Sequence, residues 1–294
     1  MLTDLHITII GGDARQIEVI RKLTELDANV TLVGFEHLDQ GFTGAEKKKI
    51  TEIDFRKTDA IVLPVSGTSE TGEVETTFSK EPVFVTEDMF IQTPEHCVIF
   101  TGISNDYLDG CAKKANRTLI KLLERDDVAI YNSIPTVEGI LMLVIQNTDI
   151  TIHSSNTLVL GFGRTGMSVA RAFSALGAKV KVGTIKADDI ARITEMGLTP
   201  VHLRDLEKNV EDVDIIINTI PALVLTANVI SKMPLHTLIV DIASKPGGTD
   251  FRFAKKRGIH AILAPGLPGI VAPKTAGKII ANVLVQQLSE IKNV

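Results

Sequence analysis

Short apolar runs alternate with segments of helical period along this chain, and one arrangement of them occurs twice. A strand, a glycine-containing turn and a helix fall at 7–34 and again at 157–184. The copies keep register, because the same 19 positions separate Gly11 from Val30 and Gly161 from Val180. Equal spacing means matching lengths of strand, helix and following strand, so each copy opens a βαβ unit. In the second copy 158–160 is a short buried strand, Val169, Ala170, Phe173 and Leu176 recur at helical spacing, and Gly177 stops the helix. Further apolar runs at 213–217, 238–242 and 261–263 predict a doubly wound parallel sheet of Rossmann type. The first half follows the plan less regularly. Its strands are predicted at 7–10, 30–33, 60–64, 83–85 and 98–100, giving an α/β lobe that is flavodoxin-like.

Two lobes follow from this pattern. Residues 1–132 form the flavodoxin-like lobe, assigned to substrate, and residues 133–275 form the Rossmann lobe. Between them Asn132-Ser133-Ile134-Pro135-Thr136 leads into an apolar connector helix at 136–147, with Thr136 as its cap and the proline setting the entry. The last stretch, 276–294, is helical and is expected to pack back on the first lobe, leaving a cleft between the two.

Composition narrows the function. A length of 294 residues suits two domains better than one core, and 44% hydrophobic with 23% charged residues is an ordinary soluble balance. A net charge of −5 argues against a nucleic-acid surface, which needs a basic stripe to replace condensed counterions. The longest unbroken apolar run, 140–145, falls far short of the roughly 20 residues of a membrane helix. Cys97 and Cys111 form no Cys-x-x-Cys, so the cytoplasm is the expected compartment, and seven scattered histidines predict no metal site. A homodimer is the expected assembly.

The candidate chemistry begins at Gly161-Phe162-Gly163-Arg164-Thr165-Gly166, which fits G-x-G-x-x-G between a predicted strand and a predicted helix. Gly161 permits the tight turn, Gly163 lets backbone approach a pyrophosphate, and Gly166 permits close helix packing. The helix start at Arg164 and Thr165 offers unpaired N–H groups to the anion. At the end of the second strand stands Thr184 rather than an acid, with Lys186 just after it, which favours NADP over NAD. Asp188 and Asp189 are placed in the following loop or as caps of a helix from Ile190. Three further loops are predicted on the same rim. Asn218-Thr219-Ile220-Pro221 borders the cofactor ribose, and 244–248 and 265–269, with Gly266, outline a nicotinamide pocket. The first turn, Gly11-Gly12-Asp13-Ala14-Arg15, has Asp13 where the fingerprint needs glycine, so no second dinucleotide is expected. Arg15 with Ser66 and Thr68 suits a small carboxylate.

The chain resembles the A subunits of dipicolinate synthase from spore-forming bacteria over nearly its full length. The resemblance is carried by 11–16, 132–136, 161–166, 218–222, Ala243-Ser244-Lys245-Pro246-Gly247-Gly248 and the loop at 265–274. It implies NADP-linked oxidation of dihydrodipicolinate to dipicolinate during sporulation, on a branch of the diaminopimelate and lysine pathway. It also implies a partner, a flavoprotein-like B subunit. The related 2-hydroxy-acid dehydrogenases place a histidine base after the last Rossmann strand, but no histidine follows His260 here, so hydroxy-acid chemistry is not expected. An oxidation ending in an aromatic ring asks mainly for positioning of a dianion. Lys245, Ser133 and Thr136 are the catalytic candidates, and Arg15, Ser66 and Thr68 the substrate-binding ones. The alternative is a dinucleotide-binding regulatory or scaffold subunit, since no obvious acid/base pair is present.

Overall fold

Parallel strands covered on both faces need nearly continuous aliphatic sequence, and the runs identified above form two such sheets. The computed structural model describes residues 1–244 and 246–292, with side chains to residue 290. The candidate Lys245 therefore lies outside the described residues. The chain divides into two compact units, Met1–Tyr131 with Ala272–Val294, and Asn132–Val271.

In chain order the first unit contains β1 (His6–Ile10), α1 (Arg15–Glu25), β2 (Asn29–Val33), β3 (Ala45–Lys47), β4 (Ala60–Val62), β5 (Glu73–Val74), β6 (Val83–Phe84), α2 (Glu87–Gln92), β7 (Val98–Thr101), α3 (Asp106–Lys114) and β8 (Thr118–Lys121). Its parallel sheet runs β3-β2-β1-β4-β7-β8. The five strands from β2 to β8 keep the flavodoxin order, and β3 adds an edge. The strand predicted at 83–85 is not in this sheet. It pairs antiparallel with β5 as a separate ribbon. β3 escaped prediction because Ala45-Glu46-Lys47 is an edge with its charges in solvent and no apolar run.

α4 (Asp126–Asn147) crosses the boundary between the units in sequence, and it corrects the connector predicted at 136–147. It starts at Asp126, where two acids occupy the first turn and suit a helix N-terminus. Pro135 lies inside it. Thr136 is no cap, since its hydroxyl donates to the Asn132 carbonyl one turn back at 2.8 Å. By length and composition α4 is apolar enough to cross a membrane, but Val137, Ile140 and Val144 are core residues of the second unit.

The second unit continues with β9 (Asn156–Leu160), α5 (Arg164–Ala175), β10 (Lys179–Thr184), α6 (Ala187–Glu195), β11 (Thr199–His202), β12 (Ile215–Asn218), α7 (Ala227–Ser231), β13 (Leu238–Asp241), α8 (Phe251–Arg257), β14 (His260–Leu263) and α9 (Leu267–Val271). Its sheet runs β11-β10-β9-β12-β13-β14, all parallel, so the strand order reverses between β9 and β12. β11, also not predicted, is an edge strand that contains Pro200, where a missing N–H costs no ladder bond. One face buries Val159, Val182, Ile217 and Val240 with Phe173 of α5, and the other buries Leu158, Leu160, Ile216 and Ile239. α10 (Pro273–Lys292) returns to the first unit and packs along α1, burying Ala281, Leu284 and Leu288. Gly277 allows this approach, for a Cβ there would lie 2.4 Å from the Arg15 carbonyl oxygen.

Asp241, at the carboxyl end of β13, has 0% exposure. Its Oδ1 accepts from Asn218 Nδ2 and the Ala243 amide, each at 3.0 Å. Its Oδ2 accepts from the Gly248 amide at 2.9 Å and the Thr249 hydroxyl at 2.6 Å. A buried carboxylate is tolerated when donors replace the lost water, and these four come from the last residue of β12 and the loop after β13. Asp241→Ala strands all four donors in a dry site. Urea unfolding is expected to show a loss of about 3 kcal/mol. A loss below about 1 kcal/mol means the network does not hold the loops.

Candidate functional site

The turn from β9 into α5 sits beside β12, at the reversal of strand order, where ligands bind in open α/β sheets. Two of its three glycines answer separate packing demands. Gly161 adopts φ +92°, and a Cβ there would lie 2.4 Å from Thr219 Oγ1. Gly166 is where α5 crosses the turn, since a Cβ would come within 2.1 Å of the Gly161 carbonyl oxygen. Gly163 is different: it is exposed, with an ordinary φ of −79°, and a Cβ there would meet nothing within 4 Å. Among the described residues no neighbouring atom demands a glycine at that position, which leaves space beside it. No side chain caps α5 at Gly163, and its first-turn amides, beginning at Arg164 and Thr165, suit an anion. Thr219 braces the turn from below, donating its hydroxyl to the Leu160 carbonyl at 2.9 Å.

The end of β10 differs from the sequence reading. α6 begins at Ala187, so Asp188 and Asp189 lie in its first turn and not in a loop before Ile190. From there Asp189 reaches back, and its Oδ2 accepts the Thr184 hydroxyl at 2.7 Å. The same hydroxyl accepts the Lys186 amide at 3.2 Å. Thr184 is only 4% exposed and is fully engaged, and the strand end carries an acid supplied from five residues downstream. Lys186 is exposed and has no ion-pair partner among the described residues. The missed signal was the acid in the third position of a helix that starts directly after the strand.

The remaining rim loops follow adjacent strands β12, β13 and β14. Asn218 is buried and binds both Asp241 and its own loop, through Nδ2 to the Ile220 carbonyl and Oδ1 from the Ile220 amide, each at 3.1 Å. Gly248 closes the two loops together, with Asn218 Nδ2 2.4 Å from where a Cβ would stand. Pro221 is exposed on this rim, and Gly266 stands at φ +70° with open space around it, before α9. Asp241 was not singled out from sequence, for it closes an apolar run without belonging to a motif, and Asn218 was read only as the start of the loop at 218–221.

The corresponding turn of the first unit is occupied by its own chain. The Gly12 amide donates to the Glu75 carbonyl at 2.6 Å, and the Thr77 amide donates to the Gly12 carbonyl at 3.1 Å. Arg15 already holds a partner in a forked pairing with Asp13 at 2.7–3.0 Å. The Ser66 hydroxyl donates to the Glu75 carboxylate at 3.0 Å. Thr68 bridges Val74, and its hydroxyl is enclosed without a hydrogen-bond partner. Ser66 and Thr68 meet the segment 74–77, which also pairs with Gly12 in the turn before Arg15. In the second unit Ser133 is buried and shares a 2.8 Å hydrogen bond with the Ser168 hydroxyl of α5. Among the described residues no group of three or more His, Cys, Asp or Glu side chains is arranged for a metal.

Two family models match the chain. Residues 6–123 match the N-terminal domain of the dipicolinate synthase A subunit, whereas residues 137–294 match the alanine dehydrogenase/PNT C-terminal domain. The chain is 61% identical to the dipicolinate synthase A subunit of Bacillus subtilis (strain 168), over 99% of this chain and 98% of that protein. The crystal structure of the dipicolinate synthase A subunit from Bacillus halodurans superposes with a TM-score of 0.96 at 62% identity, over 98% of this chain and 99% of that one. A transhydrogenase from Sinorhizobium meliloti shares the fold at 14% identity, with a TM-score of 0.66 over 96% of this chain and 94% of its own. The chain belongs to the family of dipicolinate synthase A subunits and carries a nicotinamide-dinucleotide-binding domain of dehydrogenase type.

Proposed function

We propose that this chain is the catalytic subunit of a dipicolinate synthase, oxidising dihydrodipicolinate to dipicolinate with NADP in the cytoplasm of a sporulating cell. It works as a homodimer alongside a flavoprotein-like B subunit. The observation that carries the cofactor assignment is the room left at Gly163, between a turn and a helix whose other two glycines are required by packing. The amides at the start of α5, from Arg164 and Thr165, hold the pyrophosphate, and Thr219, Pro221 and Gly266 border the ribose and nicotinamide. Lys186, exposed at the end of β10 beside Thr184, is the cation for a 2′-phosphate.

Bound NADP supplies a hydride acceptor, so that loss of one hydride and one proton from the dihydropyridine ring leaves an aromatic dicarboxylate. The protein's task is then to orient a dianion and exclude water, because aromatisation supplies the driving force. Ser66 is exposed, but its hydroxyl serves a substrate carboxylate only if it leaves Glu75. Arg15 serves only if a substrate carboxylate displaces Asp13, and Thr68 only if its enclosed hydroxyl is uncovered. Lys245, Ser133 and Thr136 are assigned to substrate orientation and proton release. A second reading, a dinucleotide-binding scaffold or regulatory subunit, is favoured by the engagement of Ser133 and Thr136 within the fold.

Two measurements separate these readings. Protein mixed with B subunit, NADP and dihydrodipicolinate is expected to form NADPH; no NADPH, even with the B subunit present, defeats the oxidoreductase assignment. Gly163→Asp is expected to weaken NADP binding at least about a hundredfold, since it sets a carboxylate against a pyrophosphate, with the melting temperature unchanged because the space there is open. Full activity of the complex with a variant that no longer binds nucleotide establishes the scaffold reading.

A further inference from the structure

Asp189 has a place in the site that its sequence position conceals. Thr184 has one hydroxyl proton, and it goes to Asp189; the oxygen's acceptor role goes to the Lys186 amide. In this arrangement Thr184 has no proton left to donate to a phosphate. The carboxylate is meanwhile fixed at the carboxyl end of β10, over the first turn of a nine-residue helix whose N-terminus favours one anion. A 2′-phosphate brought to the same strand end competes with Asp189 for the same positive field and is repelled by it. A 2′-hydroxyl instead has an acceptor to donate to. Lys186 pulls the other way.

We propose that Asp189 is a specificity-determining residue that holds down the preference for a 2′-phosphate, so that this site binds NADP and NAD with affinities closer than the lysine alone would set. The proposal rests on the reading that the adenosine half of a dinucleotide lies at the end of β10. The plain alternative is that Asp189 does no more than steady the start of α6 through the Thr184 hydroxyl.

The test is calorimetric titration of the full-length protein with NADP and with NAD, on wild type, Asp189→Asn and Asp188→Asn, with a melting temperature for each. Asparagine keeps the size and can still accept the Thr184 hydroxyl, so charge is the main change. Asp189→Asn is expected to raise the NADP:NAD affinity ratio about tenfold, and Asp188→Asn, exposed and unbonded to Thr184, to change it less than about threefold. An unmoved ratio with both nucleotides still bound overturns the proposal, as does a lowered melting temperature with no change of ratio. Equal shifts from the two variants also overturn it, since the effect then belongs to general charge. If wild type binds neither nucleotide, the underlying assignment of the site fails as well.

Discussion

A carboxylate sealed from water has to be surrounded by donors, and at Asp241 that requirement organises one whole edge of the second unit. Its four hydrogen bonds reach the last side chain of β12 and both ends of the loop after β13. Asn218 passes the constraint on through Ile220, and Gly248 gives up its side chain so that the loops can close. Thr219, next to Asn218, then braces the turn at Gly161. The open space at Gly163 is thus bounded by elements fixed without help from a ligand, the preorganisation that binding an anion at a helix start calls for.

The two units are variations on one plan, and the likeness goes deeper than the strand–turn–helix spacing. Below each sheet an aspartate precedes the fourth strand in sequence. Asp59 accepts the His6 amide at 2.8 Å and pairs with His96 at 2.7 Å; Asp214 accepts the Asn156 amide at 2.7 Å and pairs with His236 at 3.0 Å. At the opposite edge the plans part. The Gly11-Gly12 turn is filled by the backbone of Glu75 to Thr77, whereas at Gly163 a Cβ would meet no described residue within 4 Å. One lobe closes its turn with its own chain, and the other leaves the position at Gly163 open.

Much of the fold was legible in the sequence wherever the signal was local. Buried strands such as β9, β12 and β13 are unbroken aliphatic runs, and Gly161 and Gly166 of the second turn each have a distinct packing reason. The edge strands β3, β8 and β11 were missed, β3 being charged, β8 short with threonine and lysine at its ends, and β11 containing a proline, whereas the edge strand β14 was predicted. The start of α4 was missed because Pro135 reads as a helix entry, although it sits inside a helix of 22 residues. What the sequence hid most completely was pairing across a loop. Nothing at Thr184 announces Asp189, nothing at Arg15 announces that its guanidinium is already held by Asp13, and Asp241 closes an apolar run without a motif around it. These contacts depend on how loops fold back, which spacing alone does not encode.

The central claim is that the dinucleotide is held by the turn of the second unit and not by that of the first. Amide hydrogen exchange with and without saturating NADP locates it directly. Protection is expected across 163–167 and at 184–189, with exchange at 11–16 unchanged. Protection at 11–16, or none at 163–167 while NADP is bound, contradicts it.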